Sequence, residues 1–292
     1  MRVTQSQIYG RLTADLQKAL RSTTEAQRQV ATGQRFEQIS GDPIAGMDVL
    51  RARAGMRAVS QYRRNLGEVR TRMDTQESTI SQVIDVLDNA RSIAMQQGSA
   101  TATSATRLSA VNELTRAMEQ VTNLGNVKIG TEFIFGGNQS TTRPFTFNGT
   151  TITYAGDTAV RQAEIAEGYV IDASNNGNQL LVATGVAQGL ADLRTALANN
   201  DPPAIIAADN ALKSAFDNIS SLLGDVGARQ RALDDVGTAL AASDVLLEQR
   251  ESDAITIDIE KATVNLAESQ QALQSALLAA SKVISTNLTA YL

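Results

Sequence analysis

VSQYRRNLGEVRTRMDTQESTISQVIDVLDNARSIA, residues 59–94, decides how this chain is read. Val59, Tyr62, Leu66, Val69, Met73, Ile80, Val83, Leu87, Ala90 and Ala94 follow at alternating spacings of three and four, with Gln76 the one polar interruption. An α-helix turns every 3.6 residues, so that rhythm holds the apolar side chains on one narrow stripe. Sustained over about five heptads, it is the pattern of a coiled coil or helical bundle.

The rest of the chain extends that reading. Prolines stand only at 43, 144, 202 and 203, leaving 44–143 and 204–292 free of helix interruption by proline on either side of a middle segment. After a turn region at 98–106, a second helix carries Leu108, Val111, Leu114, Met118 and Val121. In the far flank Leu212, Ile219, Val226, Leu233, Leu240, Leu247 and Ala254 recur every seven residues. A shifted stripe continues through Ile259, Ala262, Leu266, Leu273, Leu277, Ile284 and Leu288. One straight helix over 204–292 would be about 130 Å long at 1.5 Å per residue, which suits a rod. Gly224 and Gly227 are expected to kink or break it.

The middle differs in kind. Ten of the 20 glycines lie between positions 125 and 189, and six of the 11 aromatics between 133 and 169. FIFGG (133–137), PFTF (144–147), TITYAG (151–156) and YVIDASNNG (169–177) alternate apolar with polar residues between glycines, as short antiparallel strands do. The expected fold is therefore mainly α: a long antiparallel coiled-coil or helical-bundle rod, termini together, with a small β-rich domain inserted at the distal end. The expected boundaries are 1–45 and 255–292 for terminal amphipathic helices, 46–130 and 186–254 for the rod, and 131–185 for the β-rich domain.

Composition removes whole classes of chemistry. The chain has no Cys, His or Trp, so thiol nucleophiles, imidazole bases, zinc fingers and iron–sulfur clusters are excluded. No run approaches 18 apolar residues, so no membrane insertion is expected. The opening MRVTQSQIYGRLTADL lacks the apolar core of a cleavable signal peptide. A net charge of −5 argues against nucleic acid as partner. GTEFIFGG (130–137) lacks the Lys-Ser/Thr of a phosphate-binding loop. Asp253, Asp258 and Glu260 could serve as paired carboxylates for sugar hydrolysis, but Asp253 and Glu260 stand seven apart in a periodic helix, where solvated charges are the ordinary case, and the three form no ligand-dense loop for a metal. No cofactor is expected.

Both ends are amphipathic. Ile8, Leu12, Leu16, Ala19, Ala26 and Val30 form one narrow stripe near the start, and the stripe ending at Leu288 occupies the other end. Residues 1–35 carry a balance of +4 and residues 248–292 one of −3, but exposed ion pairs contribute only about 0–1 kcal/mol each. Burying one Leu or Ile yields roughly 1.5–3 kcal/mol, so the stripes favour pairing of the two ends more strongly. Leu278 and Val283 widen the apolar arc beyond what two helices can cover, which calls for further copies or partners. Binding to a membrane surface is the weaker alternative, given the acidic balance and the scarcity of Trp and Phe. In ATGQRFEQISGDPIAGMDVL (31–50), Gly33, Gly41 and Pro43 interrupt the helical pattern, and Asp42 before Pro43 reads as a helix N-cap.

Four segments carry a family resemblance: MRVTQSQIY at the start, VATGQRFEQISGDPIAG (30–46), LLGDVGARQRALDDV (222–236), and the ending IDIEKATVNLAESQQALQSALLAASKVISTNLTAYL (257–292). In this order they resemble the flagellin superfamily, and within it the hook-associated members that join hook region to filament. Gly41 stands where that family carries an acidic residue. The resemblance covers roughly the first 100 and last 80 residues. It implies export through the flagellar type III apparatus with an export chaperone, and terminal helices that are disordered in the monomer and form a coiled coil on assembly. It also implies an extracellular place at the hook–filament junction, with FlgK-type hook-associated subunits, flagellin and copies of the chain itself as neighbours.

On this reading the chain is a structural adaptor and not an enzyme. Ile8, Leu12, Leu16, Ala19, Leu266, Leu273, Leu277, Ile284 and Leu288 are assigned to the assembly seam, and Gly41, Asp42 and Pro43 to a hinge. Two alternatives stand beside it. One is the bulk filament subunit, flagellin. The other is a glycan hydrolase on a helical stalk, which requires two neighbouring carboxylates among Glu132, Asp157, Glu164, Glu167 and Asp172.

Overall fold

The computed structural model describes residues 5–288, with side chains from Gln7 to Lys282, Ile8 excepted. The chain is mainly α, with short antiparallel strand pairs in its middle. The helices are α1 (Gln5–Thr32), α2 (Pro43–Gln97), α3 (Ser104–Gly125), α4 (Val186–Ala198), α5 (Pro202–Ile255) and α6 (Ile259–Leu288). Two compact units divide it: residues 1–57 with 243–292, and residues 58–242.

In the 58–242 unit the stripe of α2 is buried from Val59 through Leu66, Val69, Met73, Ile80, Val83, Leu87 and Ala90 to Ala94. Facing it, α5 buries Leu212, Ile219, Val226, Leu233 and Leu240, its heptad series. The helices run antiparallel. Arg70 pairs with Asp234, Gln230 Nε2 donates to Asp74 Oδ1 at 3.1 Å and Glu77 Oε2 at 2.8 Å, and Arg91 pairs with Asp209 at 3.4 Å. The Arg70–Asp234 pair is half-exposed and the Arg91–Asp209 pair is about three-quarters covered; the buried apolar ladder carries most of the stability.

Gly224 and Gly227 do not break α5, contrary to the sequence expectation; the helix runs unbroken through both. Each meets open space where a Cβ would stand, while Ile219, Val226 and Leu233 beside them are fully buried. A glycine costs a helix interior about 1 kcal/mol, less than the burial of any one of those residues yields. The break falls instead after Ile255. There Asp258 Oδ1 accepts the N–H groups of Glu260 and Lys261, at 3.1 and 3.2 Å, and so caps α6.

Leu108 is likewise displaced from expectation. It is 62% exposed, and α3 buries Arg107, Ala110, Val111, Leu114, Ala117, Met118 and Val121. Leu108 lies about 120° around the helix from Leu114, off the inward face. The buried Arg107 donates to the carbonyls of Gln97 and Ser99 and to Asn200 Oδ1, tying the α2–α3 turn to the end of α4. Thr103 and Thr106 form a reciprocal capping box at the start of α3.

Three two-stranded antiparallel ladders make up the middle: β1 (Lys128–Ile129) with β2 (Glu132–Phe133), β3 (Phe145–Phe147) with β4 (Ile152–Tyr154), and β5 (Gln162–Ala166) with β6 (Tyr169–Asp172). FIFGG and YVIDASNNG are strand only at their first residues; the later segment passes into a π-helical turn, Asn178–Val182. Phe145, Phe135, Ile165 and Leu180 are fully buried at the base of this module. Asn126 holds it to α3, its amide donating to the Phe145 carbonyl and accepting the Phe145 N–H, both at 3.0 Å.

Candidate assembly interface

The unit of residues 1–57 and 243–292 pairs the two end helices. α1 packs against α6, and the Thr23 hydroxyl donates across to the Ser269 carbonyl at 3.0 Å. Below that point Gln34 bridges Thr256 in antiparallel sense, so α1 and α6 run antiparallel. Among the described residues, the buried ones of the pair are small: Thr23, Ala26, Ala262 and Ala280. Close approach of helices at alanines leaves larger neighbours only partly overlapped.

That is the condition of the assigned seam. Leu12, Leu16, Ala19, Leu266 and Leu273 are half-buried. Leu277 is 53% exposed, because the packed face of α6 runs through Ala276 and Ala280, one residue around the helix from it. The side chains of Ile8, Ile284 and Leu288 lie outside the described residues. Leu20 at 56%, Val264 at 56% and Leu278 at 70% exposure add further uncovered apolar surface. Two helices therefore leave a broad apolar arc on their outer sides.

Thr23, Ser269 and Ala280 carry the pairing without having been singled out in the sequence. The signal was present: 12, 16, 19, 23, 26 and 262, 266, 269, 273, 276, 280 both alternate steps of four and three. A threonine or serine in a heptad seam passes for an interruption until its hydroxyl is seen to bond.

The connectors beside the pair hold one another. Arg35 N–H donates to the Ile255 carbonyl at 2.7 Å, and Ile257 N–H to that of Gly33 at 3.2 Å. Gly33 adopts φ +69°, which a side chain would oppose. Phe36 is buried with Ala45 and Val49, packed against Ala254 and Ile255. Asp42 caps α2 through Oδ1, which accepts the Ala45 N–H at 3.2 Å, and through its carbonyl, which accepts that of Gly46 at 2.8 Å. Its Oδ2 lies 2.9 Å from Arg35. Pro43 opens α2, where its missing N–H costs nothing. Gly41 is exposed, with 3.3 Å between a Cβ built on it and Phe36 Cβ.

Four of the five carboxylates of the middle segment weighed for sugar chemistry, Glu132, Asp157, Glu164 and Asp172, have structural partners. Glu132 pairs with Arg72 and Arg161. Asp157 Oδ1 accepts the N–H groups of Asn138 and Ala159, Glu164 accepts that of Gly168, and Asp172 accepts from Gln162. Among the described residues there is no group of three carboxylates placed to hold a metal, and no helix long and apolar enough to cross a membrane.

In chain order the β module falls between long helices whose end segments, α1 and α6, pair incompletely. Residues 4–140 match the family model of the bacterial flagellin N-terminal helical region. The relatives narrow it. The chain is 22% identical over 276 residues to flagellar hook-associated protein 3 of Escherichia coli (strain K12), covering 85% of this chain and 86% of that one. A solved structure of a candidate flagellar hook-associated protein from Vibrio parahaemolyticus has the same fold, with a TM-score of 0.68 at 21% identity over 74% of this chain and 100% of that one. The flagellar junction protein FlgL from Legionella pneumophila has it too, with a TM-score of 0.56 at 12% identity over 72% and 100% of the two chains. Together these likenesses are to flagellar hook-associated proteins and, over residues 4–140, to the flagellin N-terminal helical region.

Proposed function

We propose that the chain is a non-enzymatic adaptor of the bacterial flagellum, joining the hook-associated zone to the flagellin filament. It acts by packing its terminal helices between subunits. Its neighbours are FlgK-type hook-associated subunits on one side, flagellin on the other and copies of itself around the axis. An export chaperone accompanies it before type III export to the extracellular junction. The relatives named for hook association and for the flagellar junction support this reading. The observation that carries it is the half-covered α1–α6 pair, with Leu20, Val264, Leu277 and Leu278 open to solvent.

The mechanism is coupled packing and assembly. Ordering two end helices costs conformational entropy, which the partial burial within one chain offsets weakly and neighbouring subunits complete. Gly41, Asp42 and Pro43 form the joint at which the end segment leaves α2. The test is Leu277→Asp with Leu278→Asp. Both sites are exposed in the single chain, so helical content should be unchanged by circular dichroism while attachment of filament to hook is lost. Normal motility in that variant contradicts the proposal. Long filaments formed by the purified chain alone would instead favour a bulk filament subunit.

A further inference from the structure

An asparagine followed by glycine can react within the chain. The side-chain carbonyl carbon and the next backbone nitrogen are already tethered for closure of a five-membered ring, and glycine brings no Cβ to shield that nitrogen. Two such pairs occur here, Asn148–Gly149 and Asn176–Gly177. The fold treats them in opposite ways.

Asn176 is 3% exposed. Its Nδ2 donates to the Thr158 carbonyl at 2.8 Å and its Oδ1 accepts the Gln179 N–H at 2.9 Å. The Gly177 N–H, which ring closure would have to give up, donates to the Phe135 carbonyl at 2.8 Å. Each group that would react is bonded elsewhere and shielded from water.

Asn148 is exposed in the loop that joins β3 to β4. Gly149 has φ +91° and open space where a Cβ would stand. Four donors converge on Asn148 Oδ1: the N–H groups of Thr150 and Thr151 at 3.0 and 2.8 Å, and their hydroxyls at 2.9 and 3.2 Å. The two backbone N–H groups fix that end of the amide as its oxygen. A neutral amide oxygen has two lone pairs to offer, fewer than the donors gathered here. The arrangement suits an oxygen that gains negative charge, and donors preorganised around such an oxygen lower the barrier to attack on its carbonyl.

We infer that Asn148–Gly149 is a self-modifying site, at which the chain converts its own asparagine to a succinimide and then to a carboxylate. The Gly149 nitrogen gives its proton to solvent and attacks Asn148 Cγ. The N–Cγ bond forms as the carbonyl π pair moves onto Oδ1, where the Thr150 and Thr151 donors hold the oxyanion. When that pair returns, the Cγ–Nδ2 bond breaks and the nitrogen leaves as ammonia, taking a proton from water. Water then opens the ring. Attack at Cγ gives aspartate; attack at the Asn148 backbone carbonyl gives isoaspartate, with the main chain rerouted through Cγ. The net change is water taken up and ammonia released. Either product places a negative charge in the β3–β4 loop, and isoaspartate adds a methylene to its backbone. The site goes beyond the adaptor reading and does not depend on it.

The test is incubation of the full chain at neutral pH in water enriched in heavy oxygen, followed by peptide mapping with mass spectrometry. A free peptide of residues 141–155 is incubated in parallel as the unfolded reference. Asn148 should convert in the folded chain about tenfold or more faster than in the peptide, taking up heavy oxygen, while Asn176 stays intact. Thr150→Val with Thr151→Val removes both hydroxyls and keeps the backbone donors. Conversion should then slow by about tenfold or more at an unchanged melting temperature. Conversion of Asn148 no faster than in the free peptide, or matched by Asn176, overturns the inference, as does a rate unmoved in the double variant. Should that variant melt lower, the comparison of the natural chain with the peptide decides alone.

Discussion

The side-chain oxygen of Gln76 accepts the backbone N–H of Asn175 at 3.0 Å, within a seam whose other members are apolar. Both residues are about 1% exposed, and Arg229 of α5 donates to Asn175 Oδ1 at 2.7 Å. The one polar interruption in the α2 stripe is thus where the segment following β6 is fastened to α2 and α5. A buried polar residue in a seam costs stability and fixes register.

Gln76→Met keeps the side-chain length and removes the acceptor. It should destabilise the 58–242 unit by about 1–3 kcal/mol, the cost of stranding the buried Asn175 N–H. Denaturant unfolding would measure it; unchanged or raised stability would mean that the bond contributes nothing.

Two glycines should respond in opposite directions. A Cβ on Gly177 would stand 2.6 Å from Phe145 Cζ, so Gly177→Ala overpacks the base of the β module and should cost about 1–3 kcal/mol. A Cβ on Gly224 meets nothing within 4 Å, so Gly224→Ala should stabilise α5 by roughly 0.5–1 kcal/mol. Thermal melts of the two variants beside the natural chain decide both signs.

Glu132 provides a pH signature. The hydrogen bond from Arg72, followed by the charges of Arg161 and Arg72, holds its carboxyl below the ordinary glutamate value against the opposing effect of burial. A depressed folded pKa means that its contribution is complete above the unfolded value and is lost as pH falls through the folded one. Melting temperature should therefore decline below about pH 4.5, the ordinary glutamate range. Glu132→Gln should start lower at neutral pH and lose less on acidification. An identical acid decline in the two proteins would show that the triad does not contribute.

Much of this architecture was legible because heptad spacing and burial coincide: Leu66, Met73, Ile80 and Leu87 on α2, and Leu212 through Leu240 on α5, are the core that periodicity designates. Glycine was the misleading signal. Gly224 and Gly227 suggested a break, yet local propensity of about 1 kcal/mol yields to a buried heptad ladder. The true break had a quieter sign in Asp258, an N-cap two residues before Glu260. At the end helices, spacing identified the stripes. Which residue of each turn faces the partner depended on the small pair Ala276 and Ala280, so Leu277 points away from α1.

Hydrogen exchange followed by mass spectrometry, on the dilute isolated chain and on assembled flagella, tests the central claim most directly. Peptides from α1 and α6 should exchange fast in the isolated chain and become protected in the assembly, while the α2–α5 ladder of the 58–242 unit stays protected in both. Equal, strong protection of α1 and α6 in the isolated chain would mean that their apolar stripes are already satisfied within one molecule, and would contradict the account.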